Sequence, residues 1–206
     1  MIGEVSLKKA IAATGAEAVF RAYQLRVSGP PKFDPASESF AELFRTRVQP
    51  LAAQFGVEMR RPSRLPLTRM AHEAAAWART QGRFNAYHDA LFRALYIADR
   101  DFSDIEVLKQ IARNLGLNAA ALETALQQGL MAEDVDDDLL VAQTYGVRGV
   151  PAYVSNGQLL FGVQAPEALI AFIENAARLG QLAANAGDDP AMSTPGARPV
   201  PIQISR

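Results

Sequence analysis

The chain has 206 residues, of which 49% are hydrophobic and 21% charged, and its formal net charge is −1. This balance is typical of a globular protein and argues against a basic nucleic-acid-binding surface. No apolar run reaches the roughly 18 residues that span a bilayer, and the first residues lack the pattern of a signal peptide. We therefore expect a cytoplasmic protein without a nucleic-acid or membrane partner.

Cysteine is absent and only two histidines, His72 and His88, are present. The chain itself therefore cannot form a disulfide, a Cys-x-x-Cys redox centre or a thiolate metal site. Two histidines are too few for a histidine-rich metal site. The acidic run at residues 134–138 fits the first turns of a helix better than a carboxylate metal site. We predict no metal ligand and no catalytic residue.

Apolar spacing predicts a helix over residues 4–13 and a strand over 18–25 at the start of the chain. A loop rich in Gly and Pro follows. Ser39, with Glu42 as its capping-box partner, is predicted to begin a helix that ends near residue 55 and is kinked or divided at Pro50. Five further helices are expected, capped where indicated: 68–80 (Thr68), 84–98, 105–115 (Asp104), 119–128 (Asn118) and 133–145.

Residues 146–163 predict a β-hairpin. The Asn156-Gly157 pair suits a type I′ turn between two short apolar strands. Proline belongs at a strand start, and the Val150–Pro151 bond is one where a cis peptide costs little, so we predict that it is cis. Pro166 begins a last helix that is expected to end near residue 179.

The order helix, Gly-Val-x-Gly-Val-Pro, strand, Asn-Gly turn, strand, helix resembles the C-terminal half of the DsbA-like thioredoxin fold. Within that family, it most resembles the FrnE and 2-hydroxychromene-2-carboxylate isomerase branch. Residues 68–75 resemble the family's Asn-Thr-x-x-Ala-His segment, although Leu67 stands where Asn is usual. Residues 2–10 resemble the helix that follows the family's Cys-Pro-Trp-Cys motif.

The resemblance implies an α/β, thioredoxin-like fold with an all-helical insertion and its first strand missing. Met1 would stand directly after the second cysteine of the family motif. Either the true protein carries that strand and motif upstream, or the product is truncated, or Met1 begins an unrelated fold. The expected parts are a split thioredoxin-like domain, an irregular or helical connection, a helical insertion and a disordered tail: 1–28 with 146–179, 29–67, 68–145 and 180–206.

In the family, the backbone before the cis-proline holds a thiol peptide or glutathione, and a histidine matching His72 lies close to the cleft. The resemblance therefore implies Val150, Pro151 and His72 as ligand-binding residues. The expected function is that of a DsbA/FrnE-like thiol–disulfide oxidoreductase family protein, inactive in redox chemistry because it has no cysteine. A glutathione-dependent isomerase of the hydroxychromene carboxylate type and a non-catalytic peptide- or thiol-binding domain are the alternatives. The expected partners are a thiol or disulfide peptide, or glutathione, and the chain could form a homodimer. No cofactor is expected unless glutathione serves as one.

Overall fold

The computed structural model describes residues 1–187 and 202–205. The chain divides into a helical unit, Gln24–Leu139 together with Met1, and a sheet unit, Ile2–Tyr23 with Leu140–Arg206. Within the described residues, no helix combines the length and the apolar character needed to cross a bilayer.

Among the residues that the structure describes, the sheet unit contains two complete helices, the end of a third and four short strands. Helix α1 (Ile2–Thr14) leads into strand β1 (Ala18–Arg21), which ends earlier than the sequence predicts. The predicted hairpin consists of β2 (Ala152–Ser155) and β3 (Gln158–Phe161), and helix α9 (Pro166–Gly187) follows it. Strand β4 (Ile202–Ser205) completes a sheet with the order β1-β4-β2-β3.

Strand β4 lies inside this sheet rather than at its edge. It is parallel to β1, with Ala18 opposite Ile202, and antiparallel to β2, with Tyr153 opposite Ile204. The prediction of a disordered tail over 180–206 is therefore wrong for 180–187, which are helical, and for 202–205. Four alternating residues are too short a pattern to signal a strand when both of its partners are distant in sequence. The rest of that predicted tail, 188–201 and 206, lies outside the described residues.

The two faces of β2 pack against different layers. Tyr153 is 1% exposed and belongs to a core cluster with Leu7 of α1 and Leu169 of α9. Ala152 points to a second cluster, with Ala142 and Val147. All four residues of β2 are buried, whereas burial alternates along β3. Burying about 150–250 Å² of a tyrosine side chain makes Tyr153 a major contributor to this core.

The helical unit contains the expected helices, and the described residues 68–145 include no strand. After α2 (Glu38–Leu43) and a π-helical turn (Phe44–Val48) come the helices α3 (Gln49–Gln54), α4 (Arg69–Thr80), α5 (Phe84–Tyr96), α6 (Ile105–Asn114), α7 (Ala119–Gln127) and α8 (Ala132–Thr144). The last residues of α8 belong to the sheet unit. The hydrophobic core of this unit is built on the alanine-rich face of α4 and includes buried side chains of α5, α6 and α7.

The first of these helices is capped by Ser37, not by Ser39. The Ser37 hydroxyl accepts a hydrogen bond from the Phe40 amide at 3.2 Å, and α2 begins at Glu38. Ser37 is held in place by its own bond to the Asp34 carbonyl at 2.6 Å, a turn contact that a capping-box pattern does not reveal. Residues 38–54 stay helical without a gap, and Pro50 lies in the first turn of α3, directly after the π-helical turn.

Candidate functional site

The loop before β2 is positioned by the end of α8. Gly146 has a φ of 68°, a conformation that glycine adopts without a steric penalty. The Gly146 amide donates to the Gln143 carbonyl at 3.0 Å, and the Val147 amide donates to the Ala142 carbonyl at 2.9 Å. These bonds satisfy the last carbonyls of the helix and turn the chain toward the sheet. Val147 is buried, so it anchors the loop in the core.

The loop then enters the hairpin through a cis peptide bond between Val150 and Pro151. The Pro151 carbonyl accepts a hydrogen bond from the Gly162 amide at 2.8 Å, just beyond the end of β3. Both strands of the hairpin therefore hold the proline in place.

Pro151 lies against the first turn of α1. A methyl group added at Gly3 would lie 2.9 Å from the Pro151 Cγ and 2.6 Å from the Tyr153 hydroxyl oxygen, closer than real contacts allow. The Tyr153 hydroxyl donates to the Gly3 carbonyl at 3.1 Å. Glycine at this position therefore permits the close approach of α1 to the proline loop, and Tyr153 fixes it.

The N-terminal turn of a helix carries amide groups without intrahelical partners and a partial positive charge. Because Gly3 contacts Pro151, this turn of α1 and the proline loop form one composite surface, the proline–helix site, made of Ile2, Gly3, Val150 and Pro151. Such a surface can stabilise an anion, a thiolate included.

Val150 contributes its main chain to this site. It is half-buried, and neither its amide nor its carbonyl makes a hydrogen bond within the part of the chain that the structure describes. The Phe161 ring, with 51% of the residue exposed, lies 3.1 Å from the position of a Cβ on neighbouring Gly149. The site thus offers two backbone groups next to an accessible aromatic ring.

His72 lies on α4 of the helical unit, whereas Val150 and Pro151 lie in the sheet unit. The His72 amide donates to the Thr68 carbonyl at 2.9 Å. Its role in ligand binding stays a prediction. The other histidine, His88, is half-buried rather than a plain surface residue, because its ring stacks 5.4 Å from that of Phe84 and meets Phe92 edge-on at 4.8 Å.

Asp136, in the acidic run of α8, forms an ion pair with Arg69 within the helical unit. Arg69 at the start of α4 donates to Glu73 at 2.5 Å, to the Ala132 carbonyl at 2.8 Å and to Asp136. The hydrogen bond from Arg69 lowers the pKa of Asp136 below its ordinary value. Burial raises the pKa of Tyr87, whose hydroxyl donates to the Leu108 carbonyl at 2.8 Å. These contacts join helices and stabilise the unit.

Sequence reasoning singled out Val150 and Pro151 and expected them beside Ile2 and Gly3 at the start of the first helix, but it missed Tyr153 and Phe161. A small residue in the first turn of a helix facing a proline strand start is a usable signal for Gly3. The hydrogen bond between Tyr153 and Gly3 joins residues 150 positions apart in the sequence, so no local pattern could have revealed it.

A helix N-terminus that faces a cis-proline next to an antiparallel hairpin defines a protein of the thioredoxin class. The chain belongs to the family of DSBA-like thioredoxin domains, whose model matches residues 1–174. The chain contains no cysteine, so it lacks the thiol that exchange with a disulfide requires.

Individual proteins are also similar to this chain. The uncharacterised protein YwbO of Bacillus subtilis is 29% identical over 129 residues, which cover 61% of this chain and 64% of YwbO. The crystal structure of a probable DsbA oxidoreductase from Streptomyces coelicolor has a TM-score of 0.70 at 23% identity, covering 96% of this chain and 87% of that one. A 2-hydroxychromene-2-carboxylate isomerase has a TM-score of 0.66 at 18% identity, with coverage of 90% and 92%. These two structures share the fold with this chain.

Proposed function

We propose that this protein binds an extended thiol-bearing peptide, of which glutathione is the smallest example, at the proline–helix site and without redox chemistry. One observation carries the proposal. The Val150 amide and carbonyl have no hydrogen-bond partner among the described residues, and they lie beside a proline that contacts the first turn of α1.

In this mode, the ligand main chain pairs with Val150 as an added strand would. The thiol, or its thiolate, points to the first turn of α1, where the helix dipole favours negative charge. Arg148 lies in the loop before β2, is exposed and makes no ion pair with any described residue, so it is available to a ligand carboxylate. Phe161, the last residue of β3, offers an apolar surface beside Gly149 of this loop.

The glutathione-dependent isomerase remains the alternative, but its support is the shared fold alone, and fold does not fix function. Membership of the FrnE branch, a role for His72 in holding the ligand and assembly as a homodimer are parts of the same proposal. The cytoplasm is the proposed location, because it is the compartment in which glutathione is kept reduced.

The test is a titration of the ¹⁵N-labelled protein with reduced glutathione up to about 10 mM, a range that detects millimolar dissociation constants. The Val150 amide should shift downfield as its hydrogen bond forms, together with the Gly3 amide. The amide of Gly157 at the far turn of the hairpin should not move. S-methylglutathione should bind several-fold more weakly, because it cannot present a thiolate to α1. Absence of shifts at Val150 and Gly3 would overturn the proposal.

A pair of arginine variants controls for charge. Arg148→Gln should weaken glutathione binding and reduce its dependence on salt. Arg178→Gln removes the same charge from α9, where Arg178 donates to Asn175 of the same helix, and should have no effect. Equal effects of the two substitutions would show that only the net charge matters.

A further inference from the structure

Strand β3 forms one edge of the sheet. In the order β1-β4-β2-β3, its inner side pairs with β2, and no strand among the described residues pairs with its outer side. An open edge usually carries a charged side chain or a proline, which discourages pairing with another chain. Here the strand reads Gln-Leu-Leu-Phe, and residues 149–166 contain no charged residue. The edge therefore lacks the usual protection.

The hydrogen-bond pattern of the hairpin determines which backbone groups of β3 face outward. The Gly162 amide donates to the Pro151 carbonyl, and bonded pairs alternate with non-bonded pairs along an antiparallel ladder. Leu160 therefore bonds to β2, whereas the amides and carbonyls of Leu159 and Phe161 point away from it.

One of these outward groups already has a partner. The Gln164 side-chain amide donates to the Phe161 carbonyl at 2.7 Å. The Leu159 amide and carbonyl make no hydrogen bond with any residue that the structure describes. Leu159 thus presents one donor and one acceptor side by side, a pair that an antiparallel partner strand satisfies in both directions.

The side chains of β3 alternate between core and surface. Leu160 packs against the core of α1 and α9, whereas Leu159 and Phe161 are exposed. Apolar side chains that face each other across two strands stabilise an antiparallel pair. A strand added at this edge would therefore cover apolar surface as well as satisfy the backbone.

We propose that the outer edge of β3 is a dimerisation surface, on which β3 of a second copy of this chain pairs antiparallel about a two-fold axis at Leu159. In this register, each Leu159 amide donates to the Leu159 carbonyl of the other copy, and the two leucine side chains lie next to each other. Phe161 lies opposite Gly157 of the second copy, which has no side chain to obstruct the ring.

A second copy suits this edge better than a charged partner. Two-fold pairing brings identical residues together, so a charge near the axis would repel its symmetry mate, and residues 149–166 contain none. The contact also closes, because each copy uses its β3 edge once. This surface supplies an interface for the homodimer named with the proposed function, and it rests on that part of the proposed function rather than on glutathione binding.

Leu159→Lys tests the surface. Analytical ultracentrifugation of the parent at up to about 100 µM, a range that detects micromolar dissociation constants, should give the mass of two chains. Leu159→Lys should give the mass of one chain, because it places two like charges at the axis. Its Tm should stay within about 5 °C of the parent value, since position 159 is exposed. Leu140→Lys makes the same change at an exposed position of α8 and should leave the dimer intact.

Leu159→Cys gives a second measurement that adds no charge. The chain has no cysteine, so any bridge must join two chains. Opposite residues in a bonded antiparallel pair have Cα atoms about 5.5 Å apart, a separation that suits a disulfide. Leu159→Cys should therefore oxidise to a dimer on a non-reducing gel several-fold faster than the exposed control Leu140→Cys.

Equal oxidation of the two cysteine variants, or a dimer that persists in Leu159→Lys, would overturn this interface without affecting the homodimer itself. A monomeric parent would overturn both. If the Leu159 amide of a monomeric parent shifted on addition of an uncharged extended peptide, the edge would take a peptide instead of a second copy. The glutathione-induced shifts at Val150 and Gly3 should be the same in the parent and in Leu159→Lys, so the ligand site is tested separately.

Discussion

The absence of a side chain at Gly3 determines how closely α1 can approach Pro151 and Tyr153. Alanine is ordinarily favoured over glycine inside a helix by about 1 kcal/mol. At Gly3, this preference competes with contacts of 2.6 and 2.9 Å that an added methyl group would make. Neither the proline ring nor a buried tyrosine on β2 can move away easily, so the contacts should prevail.

We therefore expect Gly3→Ala to lower the free energy of unfolding by about 1–3 kcal/mol, as overpacking does, and to weaken glutathione binding. Chemical denaturation measures the first effect and the titration above the second. Adding Tyr153→Phe removes the oxygen at 2.6 Å and should recover part of the lost stability. A gain of stability in Gly3→Ala would show that helix propensity dominates.

The Arg69–Asp136 ion pair should make stability depend on pH. Its hydrogen bond lowers the pKa of Asp136 in the folded state, so this carboxylate stabilises the fold above the unfolded pKa of about 3.9. That contribution is lost as the pH falls through the lower, folded value. The stability difference between the parent and Asp136→Asn should thus be largest near neutral pH and vanish in acid. The effect should be small, because the Asp136 side chain is 64% exposed.

Urea denaturation at a series of pH values measures this difference. Asp137→Asn is the matched control, since Asp137 is exposed on the same helix and pairs with no cation among the described residues. A difference that persists unchanged in acid would contradict the assignment.

At the scale of elements, the helix starts show which caps a sequence pattern can predict. Asp104 and Thr68 both stand at the N-cap position, as predicted. The Asp104 carboxylate accepts a hydrogen bond from the Glu106 amide at 2.9 Å, whereas the Thr68 hydroxyl makes no cap bond. The Thr68 hydroxyl oxygen is buried and has no hydrogen-bond partner within the described part of the chain.

Asp104→Ala should therefore cost about 1 kcal/mol of stability, the usual effect of losing a cap. Thr68→Ala should be neutral or slightly stabilising, because it removes a buried polar atom that makes no hydrogen bond. Thermal denaturation of the two variants side by side measures the contrast. Equal losses would show that residue type at the N-cap matters more than the bond itself.

The sequence predicts the elements whose signals are local. The hairpin follows from Asn156-Gly157, and α6 and α7 follow from their caps and apolar spacing. Local patterns do not predict the contacts that form the candidate site, because Gly3 contacts Pro151 and Tyr153, and Tyr153 is 150 residues away in the sequence. Strand β4 is not predicted for the same reason: its four residues are identified as a strand only by their pairing with β1 and β2, which are distant in sequence.

At the scale of the whole molecule, the composition limits the chemistry. Thiol–disulfide exchange proceeds through attack by a thiolate, and this chain has no cysteine in any element. The family fold is therefore present without the thiol nucleophile that thiol–disulfide exchange requires.

The protein should therefore not accelerate the reduction of insulin by dithiothreitol. Turbidity from the released insulin chains should rise at the rate of the buffer blank, with an active thioredoxin as the positive control. A rate clearly above the blank would show that some other group transfers electrons.

The position of β4 also affects the order in which the protein can mature on the ribosome. α1 and β1 are synthesised before residues 202–205. The sheet therefore lacks the strand between β1 and β2 until those residues have been made. Closing contacts over so long a separation slows folding. Until then, β1 and β2 present unpaired edges of the kind that chaperones shield and that aggregation recruits. Nascent chains of this protein should remain chaperone substrates until residues 202–205 have been synthesised and can pair with β1 and β2.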